Sequence, residues 1–231
     1  MRILLMIALG FCTASVAFAQ PRPDYRPASL VDASTVASGL VVEMRYLGSH
    51  KFVGRKIEGY EQPVCLLTRQ AAAALAQVVR DLAPRGLALK VFDCYRPARA
   101  VAHFVRWARD LADVARKSEF YPAVDKRNLF RDGYIAARSG HSRGSTLDLT
   151  LLRRADGQGN AQELDMGTPF DFFSPHSWPS DRHVSAKAQS NRALLAQTMR
   201  QRGFVPYGKE WWHFTLRHEP FRHSYFDFPV R

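Results

Sequence analysis

The sequence predicts a single α+β domain with helices flanking a small, mostly antiparallel sheet. Three observations carry the prediction. An Ala- and Leu-rich stretch early in the chain has helical periodicity, the clearest alternating stretch comes later, and no strand–helix–strand unit recurs along the chain.

Taken in order, Met1-Arg2, an apolar run from Ile3 to Phe11 and the exit Ala17-Phe18-Ala19 read as a secretory signal peptide spanning residues 1–19. The run is too short to cross a bilayer, and no later stretch approaches the about 20 apolar residues a span needs. Residues 20–39, with Pro and Arg concentrated at their start, are expected to form an extended leader. Residues 40–231 are expected to form the domain. The first helix begins near Thr68, a good N-cap, and turns Ala71, Leu75, Val78, Val79 and Leu82 inward before Pro84-Arg85-Gly86 stops it. Leu87 to Phe92 is a short strand that delivers Asp93-Cys94-Tyr95-Arg96-Pro97 to a turn. A second helix follows from Ala98, with Val101, Phe104, Val105 and Ala108 inward. From Ser145 to Leu152, Leu147, Leu149 and Leu151 alternate with Thr146, Asp148 and Thr150, so Asp148 lies on the face opposite the leucines. Ala186 to Arg202 is a late helix ended by Gly203, and Trp211 to Leu216 is aromatic and β-prone.

The formal charge is +12, and removal of Arg2 with the signal leaves +11. A basic surface invites polyanions, but outside the cytoplasm these are envelope components. The cations are also scattered (Arg80, Arg85, Lys90, Arg99, Arg106), as on a solvated face. No nucleic-acid partner is expected. Cys65 and Cys94 survive export into a compartment that permits disulfides. The sequence leaves open whether they form a bridge or two buried thiols.

Two segments carry chemistry. In Ser139-Gly140-His141-Ser142-Arg143-Gly144-Ser145-Thr146-Leu147-Asp148, a histidine on a Gly-flanked turn leads into a strand bearing a carboxylate, giving one nitrogen and one oxygen donor close together. Glu210-Trp211-Trp212-His213 offers a second imidazole and a carboxylate free of the metal. His141, Asp148 and His213 leave a fourth tetrahedral position open, as catalytic zinc requires. Each piece alone also fits a packing histidine or a capping aspartate. Residues three apart in an ideal strand face opposite ways, so Glu210 and His213 need a bend between them to share a metal.

These motifs resemble those of the D-alanyl-D-alanine dipeptidases of the VanX type, relatives of zinc D,D-carboxypeptidases and of the Hedgehog signalling domain. The signature S-x-H-x-x-G-x-A-x-D is matched from Ser139 to Asp148, with Thr146 at the alanine position, and E-x-x-H is matched from Glu210 to His213. Asp93 with Tyr95-Arg96-Pro97, Met166 to Asp171 and Ser224 to Pro229 also match. The resemblance implies a Hedgehog/D,D-peptidase-like fold and one Zn2+ per chain on His141, Asp148 and His213. It implies Glu210 as general base and then acid, and Arg96 beside the oxyanion. Asp171, Ser139 and Tyr46 are implied around the substrate's amino end. The implied reaction is hydrolysis of D-alanyl-D-alanine to two D-alanines; the signal peptide adds the periplasm as the expected location, with turnover of cell-wall material as the expected role. Two alternatives share the metal site: a peptidoglycan D,D- or L,D-carboxypeptidase, and a non-catalytic domain stabilised by zinc. His50, His103, His176, His183, His218 and His223 are read as surface or packing residues.

Overall fold

A computed structural model describes residues 26–154 and 161–231, so the expected signal peptide and the first part of the leader lie outside the described residues. Among the described residues the strands are β1 (Leu30–Asp32), β2 (Val41–Val42), β3 (Leu66–Thr68), β4 (Leu87–Asp93), β5 (Thr146–Arg153), β6 (Gln162–Glu163), β7 (Phe204–Pro206) and β8 (His213–Leu216). The α-helices are α1 (Arg69–Leu82), α2 (Ala98–Arg109), the single turn α3 (Lys117–Phe120) and α4 (Ala186–Gln201). The described part of the leader is corrected. Leu30, Ala33 and Ala37 are buried, and β1 pairs antiparallel with β3, because apolar side chains there gain more from the core than from solvent.

The main sheet runs β2-β4-β5-β8-β7, with β6 on the edge of β5. Only the β2–β4 pair is parallel; the rest are antiparallel, as the sequence predicts. Thr68 caps α1 by accepting from Ala71 N, and Ser185 caps α4 by accepting from Ala188 N. All five predicted inward residues of α1 are buried. In α2 the inward set includes Trp107, whereas Val105 is only partly buried, since the larger ring takes the place against Phe52 and Tyr121. Both faces of β5 are covered, so its polar face is as dry as its leucine face.

Register is what prepares the site. Asp148 on β5 stands opposite His213 on β8 and opposite Asp93 on β4, so three ionisable side chains form one row across three strands. A bulge between Val91 and Asp93 makes this row. Val91 pairs with Leu149, and without the extra residue the alternation would oppose Asp93 to Leu147 rather than Asp148.

Cys65 and Cys94 are joined by a disulfide, which settles the choice the sequence left open and ties the start of β3 to the end of β4. The bridge spans 29 residues, a loop for which chain entropy gives about 3–4 kcal/mol of stabilisation. A Cys65→Ser/Cys94→Ser variant is therefore expected to lose about 3 kcal/mol in equilibrium urea unfolding. A loss below about 1 kcal/mol would mean that the cross-link constrains little.

Candidate metal centre

His141 sits in a short 3-10 turn, Gly140–Arg143, capped by Ser139, whose hydroxyl accepts from His141 N at 3.3 Å. Gly144 closes the turn at φ 78°, a left-handed conformation that favours glycine. The imidazole is fixed from behind, with its Nδ1 2.7 Å from the carbonyl oxygen of Cys94. A carbonyl only accepts, so Nδ1 carries the proton and Nε2 presents a lone pair. Burial pushes the imidazole's proton affinity down, which keeps it neutral as a ligand must be.

The bend required at Glu210 is present. His213 N donates to Glu210 O across a turn at 3.4 Å, and both side chains emerge on one side, with Nδ1 of His213 3.4 Å from Glu210 Oε2. Nε2 of His141 lies 3.3 Å from Nδ1 of His213 and 3.4 Å from Asp148 Oδ2, while Nδ1 of His213 lies 3.1 Å from Asp148 Oδ1. Ligands about 2.0–2.1 Å from a tetrahedral zinc stand about 3.3 Å apart. The three separations, measured to one or the other oxygen of Asp148, lie close to that figure. Asp148 Oδ1 is also buried without a hydrogen-bond partner despite its nearness to His213, an orphaned anionic oxygen whose cost a cation would remove. Two imidazole nitrogens and one carboxylate, whose Oδ1 is the uncompensated oxygen, suit a borderline divalent metal.

Around this triad the charges are unusually constrained. Burial works against ionisation of Asp148, but His141 and His213 more than offset it and hold the carboxyl well below its usual range. Burial pushes Glu210 up to about 7, with Asp148 adding to the effect and His213 and Arg96 opposing it. Arg96 is held by Asp93, whose Oδ2 accepts from its Nε at 2.9 Å, and lies 3.5 Å from Asp148 Oδ2 across the faces of Tyr46 and Phe104. Asp93 also accepts from Tyr60 OH at 2.6 Å. Its role as the bracket of Arg96 was missed by sequence reasoning, although the three-residue spacing to Arg96 was visible.

Asp171 is buried in the cavity wall, with both carboxylate oxygens 3.1 Å from the hydroxyl of Tyr46. Burial, reinforced by Asp148, pushes its proton affinity well up. At φ 61° it has the only positive φ of a non-glycine residue among the described residues, a strained conformation of the kind that collects at functional sites. Tyr46, Arg96, Ser139, His141, Asp148, Asp171, Glu210 and His213 all border one cavity of about 260 Å³, so the structure brings together every residue the sequence analysis singled out. Tyr207, also on its border, was not anticipated.

Paired imidazoles and a carboxylate at metal-ligand spacing, beside a second carboxylate and a fixed guanidinium, define a metallopeptidase. The chain belongs to the D-ala-D-ala dipeptidase family, whose profile matches residues 26–231. It is 36% identical over 196 residues to the D-alanyl-D-alanine dipeptidase of Enterococcus faecium, covering 85% of this chain and 95% of that one. The same-named proteins of Streptomyces coelicolor and Enterococcus faecalis are 37% and 35% identical, covering 84% and 83% of this chain and 95% and 93% of their own lengths.

Thr146, at the family's alanine position, has a local consequence. A methyl group on Gly140 would stand 2.8 Å from Thr146 Oγ1, which is itself 2.9 Å from Thr215 Oγ1. Gly140→Ala should therefore displace the His141 turn and weaken metal retention by about 10- to 100-fold, the usual cost of disturbing a ligand's support. Adding Thr146→Ala removes the obstructing hydroxyl and should restore most of it, as read by metal analysis after dialysis against graded chelator. Equal losses in the single and double variants would exclude this clash as the cause.

Proposed function

We propose that the chain is a zinc dipeptidase that hydrolyses D-alanyl-D-alanine to two D-alanines. The observation that carries this reading is the convergence on one small cavity of a ligand triad, a base, a guanidinium and a buried carboxylate. His141, Asp148 and His213 would hold the metal. Zinc, when bound, supplies a Lewis acid that polarises a carbonyl oxygen and makes water more acidic.

The chain's own residues do the rest. Glu210, poised near 7 by burial, takes a proton from the attacking water and returns it to the amide nitrogen as the C–N bond breaks. Arg96 stays cationic, and Asp93 fixes its Nε edge, so its positive charge is already in place when the carbonyl oxygen becomes negative. Asp171 and Tyr46 receive the substrate's free ammonium. Deprived of a counter-charge the buried Asp171 holds its proton, and an arriving ammonium supplies the cation that lets it ionise. Ser139, though engaged as a turn cap, borders the same cavity and completes the polar wall.

A cavity of about 260 Å³ falls just below the usual range of about 300–1,000 Å³ for small-molecule sites. That size, with the buried carboxylate of Asp171 in its wall, favours a free dipeptide over the end of a long peptidoglycan stem. Export to the periplasm is part of the same proposal. It rests on the signal-peptide pattern of residues 1–19 and on the Cys65–Cys94 disulfide, a bond at home in oxidising compartments.

The test is hydrolysis of D-alanyl-D-alanine by the purified chain, with and without a chelator and with N-acetylated peptide in parallel. The free dipeptide should be cleaved, the chelator should abolish turnover, and readdition of zinc should restore it. The acetylated analogue should be a poor substrate; faster cleavage of it than of the free dipeptide would make the chain a carboxypeptidase. Glu210→Ala should keep zinc and lose turnover. Arg96→Ala should lose about 100- to 1,000-fold in kcat, and full activity in either variant would remove that residue from the mechanism.

A further inference from the structure

A second His–Asp–His cluster lies on the segment between Asp171 and α4. His176 Nδ1 is 3.0 Å from Asp181 Oδ2, and His183 Nδ1 is 2.8 Å from Asp181 Oδ1. One donor atom from each of the three lies within 4.8 Å of the others. We propose that His176, Asp181 and His183 form a second divalent-metal site, for a zinc-class transition ion, separate from the catalytic centre.

The backbone that carries these donors is built rather than loose. The side chain of Arg192, on α4, is buried and donates to the carbonyls of Met166, His176 and Trp178 at 2.6, 2.8 and 2.9 Å. Ser174 accepts from His176 N at 3.2 Å, Asp181 N donates to Trp178 O at 3.0 Å, and His183 N donates to Asp181 Oδ1 at 3.3 Å. Gln189 Nε2 holds the carbonyls of Arg182 and Val184. Three donors on a braced segment lose little backbone freedom when they bind an ion, which is the condition for a useful site.

The donor chemistry then chooses the ion. Two imidazole nitrogens and one carboxylate oxygen suit zinc, nickel and copper rather than magnesium or calcium, which take oxygen ligands. Asp181 is largely shielded, at 8% side-chain exposure, while His176 and His183 are at 56% and 81%. The carboxylate is thus the fixed donor, and the two rings close on an ion by turning through solvent. In the ion's absence each Nδ1–H donates to one oxygen of Asp181; when an ion binds, each neutral ring carries its proton on Nε2 instead, which frees the Nδ1 lone pair for the metal. The two rings also border a cleft that Asp165 and Ser185 line, which leaves the open coordination positions to water.

The experiment uses the full chain stripped of metal and titrated with Zn2+ alone at neutral pH, counting bound zinc by equilibrium dialysis and metal analysis. Two equivalents per chain are expected. Asp181→Ala and His183→Ala should each bind one and keep wild-type dipeptide turnover when zinc is saturating. His50→Ala, which removes an exposed histidine elsewhere, should keep two. Asp148→Ala should also bind one but lose turnover, so failure of the catalytic centre and failure of the surface site give different patterns. His183→Ala removes only a solvent-facing ring, so a misfolded variant does not cloud the result. If wild type binds a single equivalent, or if Asp181→Ala and His183→Ala still bind two, the cluster is a hydrogen-bonded surface network and the proposal falls.

Discussion

The structure turns on one buried carboxylate. Asp148 is 2% exposed on the central strand, yet it is held ionised, and a bare carboxylate in such a place costs several kcal/mol unless it is paired. The partners that make it tolerable are the two imidazoles and Arg96. Their positions follow from sheet register, since Asp93, Asp148 and His213 share one row and His141 leans in from the turn before β5. Slipping any of the three strands by one residue would turn its member of the row to the other face.

The shell around this row explains why the neighbouring groups behave as they do. Tyr46, Phe52, Phe104 and Phe170 lie ring against ring along one side, and Trp212 stands edge-on to Phe170. Such a wall excludes water and lowers the local dielectric, which strengthens every charge interaction inside it. The same desolvation pushes Glu210 and Asp171 upward and His141 downward. One environment thus keeps one imidazole neutral, brings one carboxyl to about 7 and leaves another holding its proton.

The end of the chain locks the arrangement. Tyr95 stacks on Phe228 at 4.2 Å between ring centres and donates to its carbonyl, while Asp227 accepts from the first turn of α2 at Arg99 N. Phe226 N donates to Ser142 O beside His141. The Tyr95-Arg96-Pro97 turn and the His141 turn are therefore held by one terminal segment. This gives a physical reason for the Ser224 to Pro229 motif, which touches no ligand atom among the contacts described. The disulfide fixes the same region from the other side, through Cys94, whose carbonyl orients His141.

Local chemistry made much of this legible without coordinates. The periodicity from Thr68 to Leu82 and the alternation from Ser145 to Leu152 are imposed by 3.6- and 2-residue repeats, which any window of sequence reveals. The donor types at 141, 148, 210 and 213 were visible because a metal and a base demand particular atoms. What no window contains is register. The bulge at Asp93 that aims it at Asp148, the turn that brings Glu210 beside His213, the packing of residues 30–37 as part of the domain, and the pairing of Cys65 with Cys94 each depend on which distant segments meet. Sequence settled the longer elements and the kinds of atom available, since those are properties of short stretches. Tertiary structure alone decided which atoms face one another, because that choice is made by burial and strand pairing between segments far apart in the chain.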